Sequence, residues 1–90
     1  MTLLQTAKSA LRLTTDALDD ELNSEVSSCL QCLHLAGIEG AEADPLIQYA
    51  VRAYVRWQHD FCGQGDRWER AFNSVRDNMG LSDEYRESGV

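Results

Sequence analysis

Residues 44–86 read DPLIQYAVRAYVRWQHDFCGQGDRWERAFNSVRDNMGLSDEYR, and this stretch decides the fold. Asp44 is a cap, and Pro45, the only proline, stands at the first helical position, where its missing N–H is not needed. Leu46, Ile47, Ala50, Val51, Tyr54, Val55, Gln58 and Phe61 follow at three- and four-residue steps, the stripe of an amphipathic helix. Gly63 and Gly65 end it. Asp66, with Glu69 three residues on, predicts a capping box for the next helix, which has Trp68, Phe72, Val75 and Met79 as its stripe and Gly80 as its stop. No nucleophile, phosphate loop or metal cage interrupts the stretch. Function is therefore expected on surfaces rather than in a catalytic pocket.

Upstream, the pattern predicts two more helices. Leu3, Leu4, Ala7, Ala10 and Leu11 mark a narrow apolar stripe over residues 2–12, broken at Leu13-Thr14-Thr15 by β-branched residues that form helix poorly. Thr15 or Asp16 is expected to cap a longer helix over about residues 16–36. Its first turns are crowded by Asp16, Asp19, Asp20 and Glu21, where negative charge complements the helix dipole. Its buried stripe is Leu18, Leu22, Val26, Cys29, Leu30 and Leu33, and Gly37 is its left-handed stop. Residues 38–43 form an acidic connector. The reading is all-α: a small bundle of about four helices over residues 1–80, followed by a polar C-terminal tail or arm over 81–90. No strand signal or internal repeat is present.

Ninety residues, 43% of them apolar, suffice for one small core, and chains of this size often gain further burial by oligomerising. The formal charge of −7 is unevenly spread. Residues 1–44 hold eight acids against Lys8 and Arg12, whereas residues 45–90 hold six arginines against seven acids. Such a chain lacks the basic footprint of a nucleic-acid binder, but the asymmetry suits copies that associate front to back. The N-terminal stretch has no continuous apolar run of the signal-peptide kind, and nothing approaches a membrane span. An odd count of three cysteines reads most simply as free thiols in a reducing cytosol.

Cys29, Cys32, His34, His59 and Cys62 have the look of a zinc set. A hairpin turning near residue 40 places Cys29 and Cys32 opposite residues 48–51, on the order of 15 Å from His59 and Cys62 at about 1.5 Å per residue. Ligand bonds of about 2.0–2.3 Å cannot span that, so neither a metal nor any other cofactor is expected. The serines have no partnered histidine and acid, and Gly63-Gln64-Gly65 is too brief to cradle phosphate. The expectation is that the chain is not an enzyme.

All seven aromatic residues fall after residue 44. Tyr54, Phe61, Trp68 and Phe72 fit the buried stripes. Trp57 lies off them, flanked by Arg56 and Gln58, and reads either as core or as part of a subunit contact. Arg52 and Arg56 form a row one helical turn apart, either a solvated face or one that meets the acidic half of a neighbour. Arg56 with Asp60 is a candidate intrahelical pair.

The segment LLQTAKSALRLTTDALDDELNSEVSSCLQCLHLAG (3–37) resembles the opening of the small head–tail connector, or adaptor, proteins of long-tailed bacteriophages, known also as putative DNA-packaging proteins. There a short helix with a Leu-Arg-Leu-like end meets an acid-rich start to a long helix that ends at a glycine. DPLIQYAVRAYVRWQHDF (44–61) resembles the next helix of that family, and WERAFNSVRDNMGLSDEYR (68–86) its closing helix and Leu-Ser-x-x-Tyr ending. The chain differs in carrying Cys29 and Cys32 in the second helix and Arg86 after the tyrosine.

The resemblance implies a homo-oligomeric ring beneath the portal protein at the head–tail junction of a virion, made in the bacterial cytoplasm. Such a ring joins head to tail, meets a downstream tail-completion or stopper protein, and extends a channel through which DNA passes without specific binding. Under it Arg52, Arg56, Trp57, Leu81, Tyr85 and Arg86 are candidate subunit or partner contacts. Asp16, Asp19, Asp20, Glu21 and Glu25 are candidates for an acidic lumen or subunit face. Two other readings stay open: a small helical interaction or regulatory module that binds a host protein, and a metal- or thiol-dependent enzyme that stoichiometric zinc would reveal.

Overall fold

The computed structural model describes residues 2–81 and is all-α. Its elements are α1 (Leu3–Ala10), α2 (Asp19–Leu35), α3 (Pro45–Gln58), a 3₁₀ turn (Phe61–Gly63) and α4 (Gly65–Gly80). The expected tail beyond Leu81, with Tyr85 and Arg86, lies outside the described residues.

Helix α1 starts in a capping box. Gln5 N–H donates to Thr2 Oγ1 at 3.1 Å, and Thr2 N–H donates to Gln5 Oε1 at 2.8 Å. The helix closes two residues earlier than the sequence suggests, because Arg12 turns left-handed at φ 57°. Arg12 N–H then reaches Ser9 O at 3.1 Å and Leu13 N–H reaches Lys8 O at 2.9 Å. This is a Schellman turn with arginine in the seat glycine ordinarily takes.

The start of α2 is Asp19 rather than residue 16. Thr15 Oγ1 accepts from Ala17 N–H at 3.2 Å and Asp16 turns to Lys8, so neither caps the helix. Leu18 takes the cap position without a side-chain bond. Gly37, at φ 78°, ends α2 as expected. Its N–H donates to His34 O at 2.9 Å, while Ile38 N–H donates to Leu33 O at 2.9 Å. Ile38 and Leu33 are both buried, the apolar contact that accompanies this motif. The acidic connector thus contributes a core residue that its composition hides.

Helix α3 is the centre of the bundle, and α1, α2 and α4 all pack on it. Asp44 Oδ1 caps it by accepting from Leu46 N–H at 2.8 Å, with Pro45 at the first position as expected. Its buried residues are Ile47, Ala50, Val51, Ala53 and Val55. A helix with neighbours on several sides has no single stripe, which accounts for the departures. Ala53 is buried though off the expected stripe, Leu46 and Gln58 are exposed, and Tyr54 is half-buried. Around it, α2 contributes Leu22, Val26, Cys29 and Leu33, while α4 contributes Phe72, Val75 and Met79. Leu30, expected in the stripe of α2, is exposed.

The link from α3 to α4 departs most from expectation. Asp60, Cys62 and Gly63 all take left-handed backbone, at φ 46°, 55° and 71°. Asp60 thereby leaves the helix, and its Oδ1 accepts from Gly65 N–H at 2.7 Å. It caps α4 from the preceding turn, so the Asp66–Glu69 capping box is not formed. The Arg56–Asp60 pair is not formed either, since an i, i+4 contact needs both residues on the helix.

Three long-range bonds fix the orientations. Leu3 N–H donates to Glu42 Oε1 at 2.7 Å, and Arg56 Nε donates to Ala10 O at 2.9 Å. Both ends of α1 therefore match those of α3, and the two run parallel. His59 Nε2 meets Glu25 Oε2 at 2.8 Å, which sets α2 antiparallel to α3 in a hairpin centred on residue 42.

Candidate functional site

The two charged surfaces anticipated from sequence meet at one end of the molecule, where α1 and α3 finish and α2 and α4 begin. The acidic one is partly neutralised from within. Lys8 Nζ lies 2.6 Å from Asp16 Oδ1 and 3.1 Å from Asp19 Oδ1, tying α1 to the start of α2. These bonds raise the Lys8 pKa and lower that of Asp16, in each case through the Lys8–Asp16 hydrogen bond first. Glu25 is engaged by His59. Asp20 and Glu21 remain exposed, without an ion pair among the described residues. Of the candidate acidic set, Asp20 faces solvent alone, while Glu21 is exposed beside the Glu25–His59 pair, with ligand atoms of the three within 4.8 Å of one another.

The basic surface is more ordered than a row of two arginines. Arg56 stacks over Trp68, its guanidinium carbon 4.6 Å from the ring centroid, and over Phe61 at 5.2 Å. Arg12 approaches Phe61 at 6.0 Å and Arg67 approaches Trp68 at 5.3 Å. The result is a ladder, Arg12–Phe61–Arg56–Trp68–Arg67, crossing from the end of α1 over α3 to the start of α4. Arg52 stands one turn below Arg56. Burial, then repulsion from Arg52 and Arg12, lowers the Arg56 pKa. Sequence reasoning found Arg52 and Arg56 but missed Arg12, Arg67 and the two rings. No local spacing joins residues from three elements.

Trp57 is half-buried and packs within its own chain. Its ring stands edge-on to Tyr54 at 5.7 Å and tilted against Phe72 at 6.0 Å. Leu81 is 81% exposed at the end of the described chain, and Tyr85 and Arg86 lie beyond it.

The five-residue cysteine and histidine set does not converge. Cys29 is buried, and burial pushes its thiol up to about 12. Cys32 and Cys62 are exposed. Among the described residues one group of metal-ligand type gathers, Glu21, Glu25 and His59, with candidate ligand atoms within 4.8 Å of one another. Its shortest contact is the Glu25–His59 bond already described.

Among the described residues, two of the open apolar grooves are large. One of about 540 Å³ lies between α1 and α2, with Leu3, Val26 and Leu30 in its wall. The other, of about 440 Å³, lies between α3 and α4 and is lined by Leu46, Tyr49, Ala71 and Val75 among others. Among the described residues no helix is long and apolar enough to cross a membrane. No family model, no curated protein sequence and no solved structure matches the chain.

Proposed function

We propose that this chain is a structural head–tail connector of a tailed phage or prophage, which assembles as a ring beneath the portal, extends the DNA channel and joins head to tail. The resemblance over residues 2–86 brings the reading forward. The observation that carries it is the pairing, at one end of the bundle, of an outward acidic edge at Asp20 and Glu21 with a preassembled arginine face on α3 and α4. Two unlike, complementary surfaces on one small chain are what head-to-tail association requires. A net acidic protein also suits a channel, since it lets DNA slide without holding it. In this reading the portal and a downstream stopper are the other partners, and the place of action is the head–tail junction of the virion. The residues after Leu81 supply the arm.

The test is the mass of the protein in solution by light scattering, alone and with an isolated portal ring. A large closed oligomer, formed alone or on the portal, is the expected result. A monomer or dimer indifferent to the portal would sink the reading. One observation favours a second reading, an adaptor for a helical partner: the groove beside Leu46 and Tyr49, which are 42% and 39% exposed, leaves large apolar side chains uncovered. A stable complex with a host protein, lost on Tyr49→Asp, would turn the assignment that way.

A further inference from the structure

We propose that the guanidinium face formed by Arg12, Arg52, Arg56 and Arg67 is the docking site for the acidic first turns of α2 of a second copy of this chain, Asp20 and Glu21 foremost. The proposal rests on the connector reading and names the contact between its subunits.

The face is unusual for what it lacks. The chain has fifteen acids for eight lysines and arginines, yet none of these four arginines pairs with a carboxylate among the described residues. Lys8 pairs with two and Arg76 with one, and of the other described cations Arg70 alone shares their lack. Among the described residues, Arg67 donates a hydrogen bond to Gln64 Oε1 at 3.2 Å and Arg56 to the Ala10 carbonyl, both neutral acceptors. Guanidinium groups do not shed their charge at ordinary pH, so their mutual repulsion is relieved by an anion and not by titration. Phe61 and Trp68 hold three of them in place over ring faces, which reduces the ordering cost a binding partner would otherwise meet. Arg56 uses Nε for the Ala10 carbonyl, which leaves its terminal nitrogens for a planar, two-toothed grip on a carboxylate.

Charge complementarity selects the occupant. The acids concentrate in residues 1–44, and at the start of α2 Lys8 and His59 engage Asp16, Asp19 and Glu25. Asp20 and Glu21 are left exposed on adjacent positions. A chain cannot satisfy its own ladder with them. Arg56 looks toward α1 and α4, whereas Glu21 and Glu25 gather on the other side of α3, about His59. A neighbour can, and because the two surfaces differ, each copy offers one while accepting the other. Nucleic acid is the less suitable anion, since four arginines on a chain of net charge −7 make a small footprint with repulsion around it.

The experiment compares the full chain with two double variants, Arg52→Glu with Arg67→Glu and Asp20→Lys with Glu21→Lys. Arg56 is spared because it joins α1 to α3. Self-association is followed by sedimentation at salt of about 50 and about 500 mM. Circular dichroism melts verify that both variants fold as the parent does. The parent is expected to associate at least tenfold more weakly at high salt. Each variant is expected to stay monomeric alone, and an equimolar mixture to assemble again, because reversal on both sides restores complementarity. Three results would overturn the proposal: a parent monomeric at about 1 mM both alone and with an isolated portal ring, variants that associate as the parent does, or a mixture that stays monomeric under conditions where the parent assembles. A short DNA duplex retained by the parent at low salt and released by Arg52→Glu with Arg67→Glu would overturn it too, assigning the face to phosphate. A ring that still forms from the variants leaves the connector reading intact. A parent that forms no ring even with a portal removes both.

Discussion

At the scale of single residues, Arg56 does the most joining, since one side chain touches α1, the 3₁₀ turn and α4. Arg56→Ala removes a hydrogen bond and two ring contacts and is expected to cost about 1–3 kcal/mol in urea unfolding. Arg56→Lys keeps the charge but not the planar stack and should recover less than half of that. The thiols separate by burial. At pH 8 Cys32 and Cys62 should react with a thiol reagent at once, and Cys29 only on unfolding, as mass spectrometry of the labelled chain would read. Lys8 holds the Asp16 carboxyl below its ordinary range. The contribution of this exposed pair is therefore complete above about pH 4 and fades as pH falls through the lowered value. A small acid-side loss in melting temperature, absent in Asp16→Asn, is the expected signature. Sequence alone pointed to Arg56 but assigned it Asp60 as partner. That error came from treating residue 60 as helical, when Asp60 has already turned left-handed to hold Gly65.

Elements begin and end here through backbone devices of unequal legibility. Gly37 was readable because a glycine after an apolar stripe is the common left-handed stop. A methyl group added there meets nothing within 4 Å, so Gly37→Ala should cost only the backbone term, about 1–2 kcal/mol. Arg12 performs the same turn without being glycine, and for that reason the end of α1 was misplaced. Arg12→Gly relieves the left-handed strain at the expense of one stacked guanidinium, so its stability is expected to stay within about 1 kcal/mol of the parent. The sequence pattern makes Gly65 a stop for α3, whereas in the structure it is the first residue of α4. A Cβ there would lie 2.7 Å from Asp60 Oδ1, the atom that caps the helix. Gly65→Ala is accordingly expected to destabilise by about 1 kcal/mol or more, and Asp60→Ala by a similar amount through the same lost bond, both seen in thermal melts. The box Thr2-x-x-Gln5 is legible only if α1 starts at Leu3, and an apolar stripe alone does not separate that start from one at Thr2.

For the whole molecule, the all-α class and the four helices were legible because apolar stripes, the Asp44-Pro45 start and the Gly37 stop are local signals. The ladder and the Glu25–His59 bond were not, since each depends on helices coming together that are far apart in sequence. Trp57 belongs to this scale as well. Its contacts with Tyr54 and Phe72 mean that Trp57→Ala should lower folding stability by about 1–3 kcal/mol, so a loss of assembly in that variant must be judged against its melt. The arrangement around α3 has a mechanical consequence. Helix α4 rests chiefly on α3, while α1 and α2 also pack on each other. Amides of α4 should exchange with deuterium through an opening that leaves α1 to α3 closed. If residues beyond Leu81 were gripped by one body and α1 by another, the pull would pass through α3 alone, with α4 the first segment to peel away and the three-helix remainder keeping its shape.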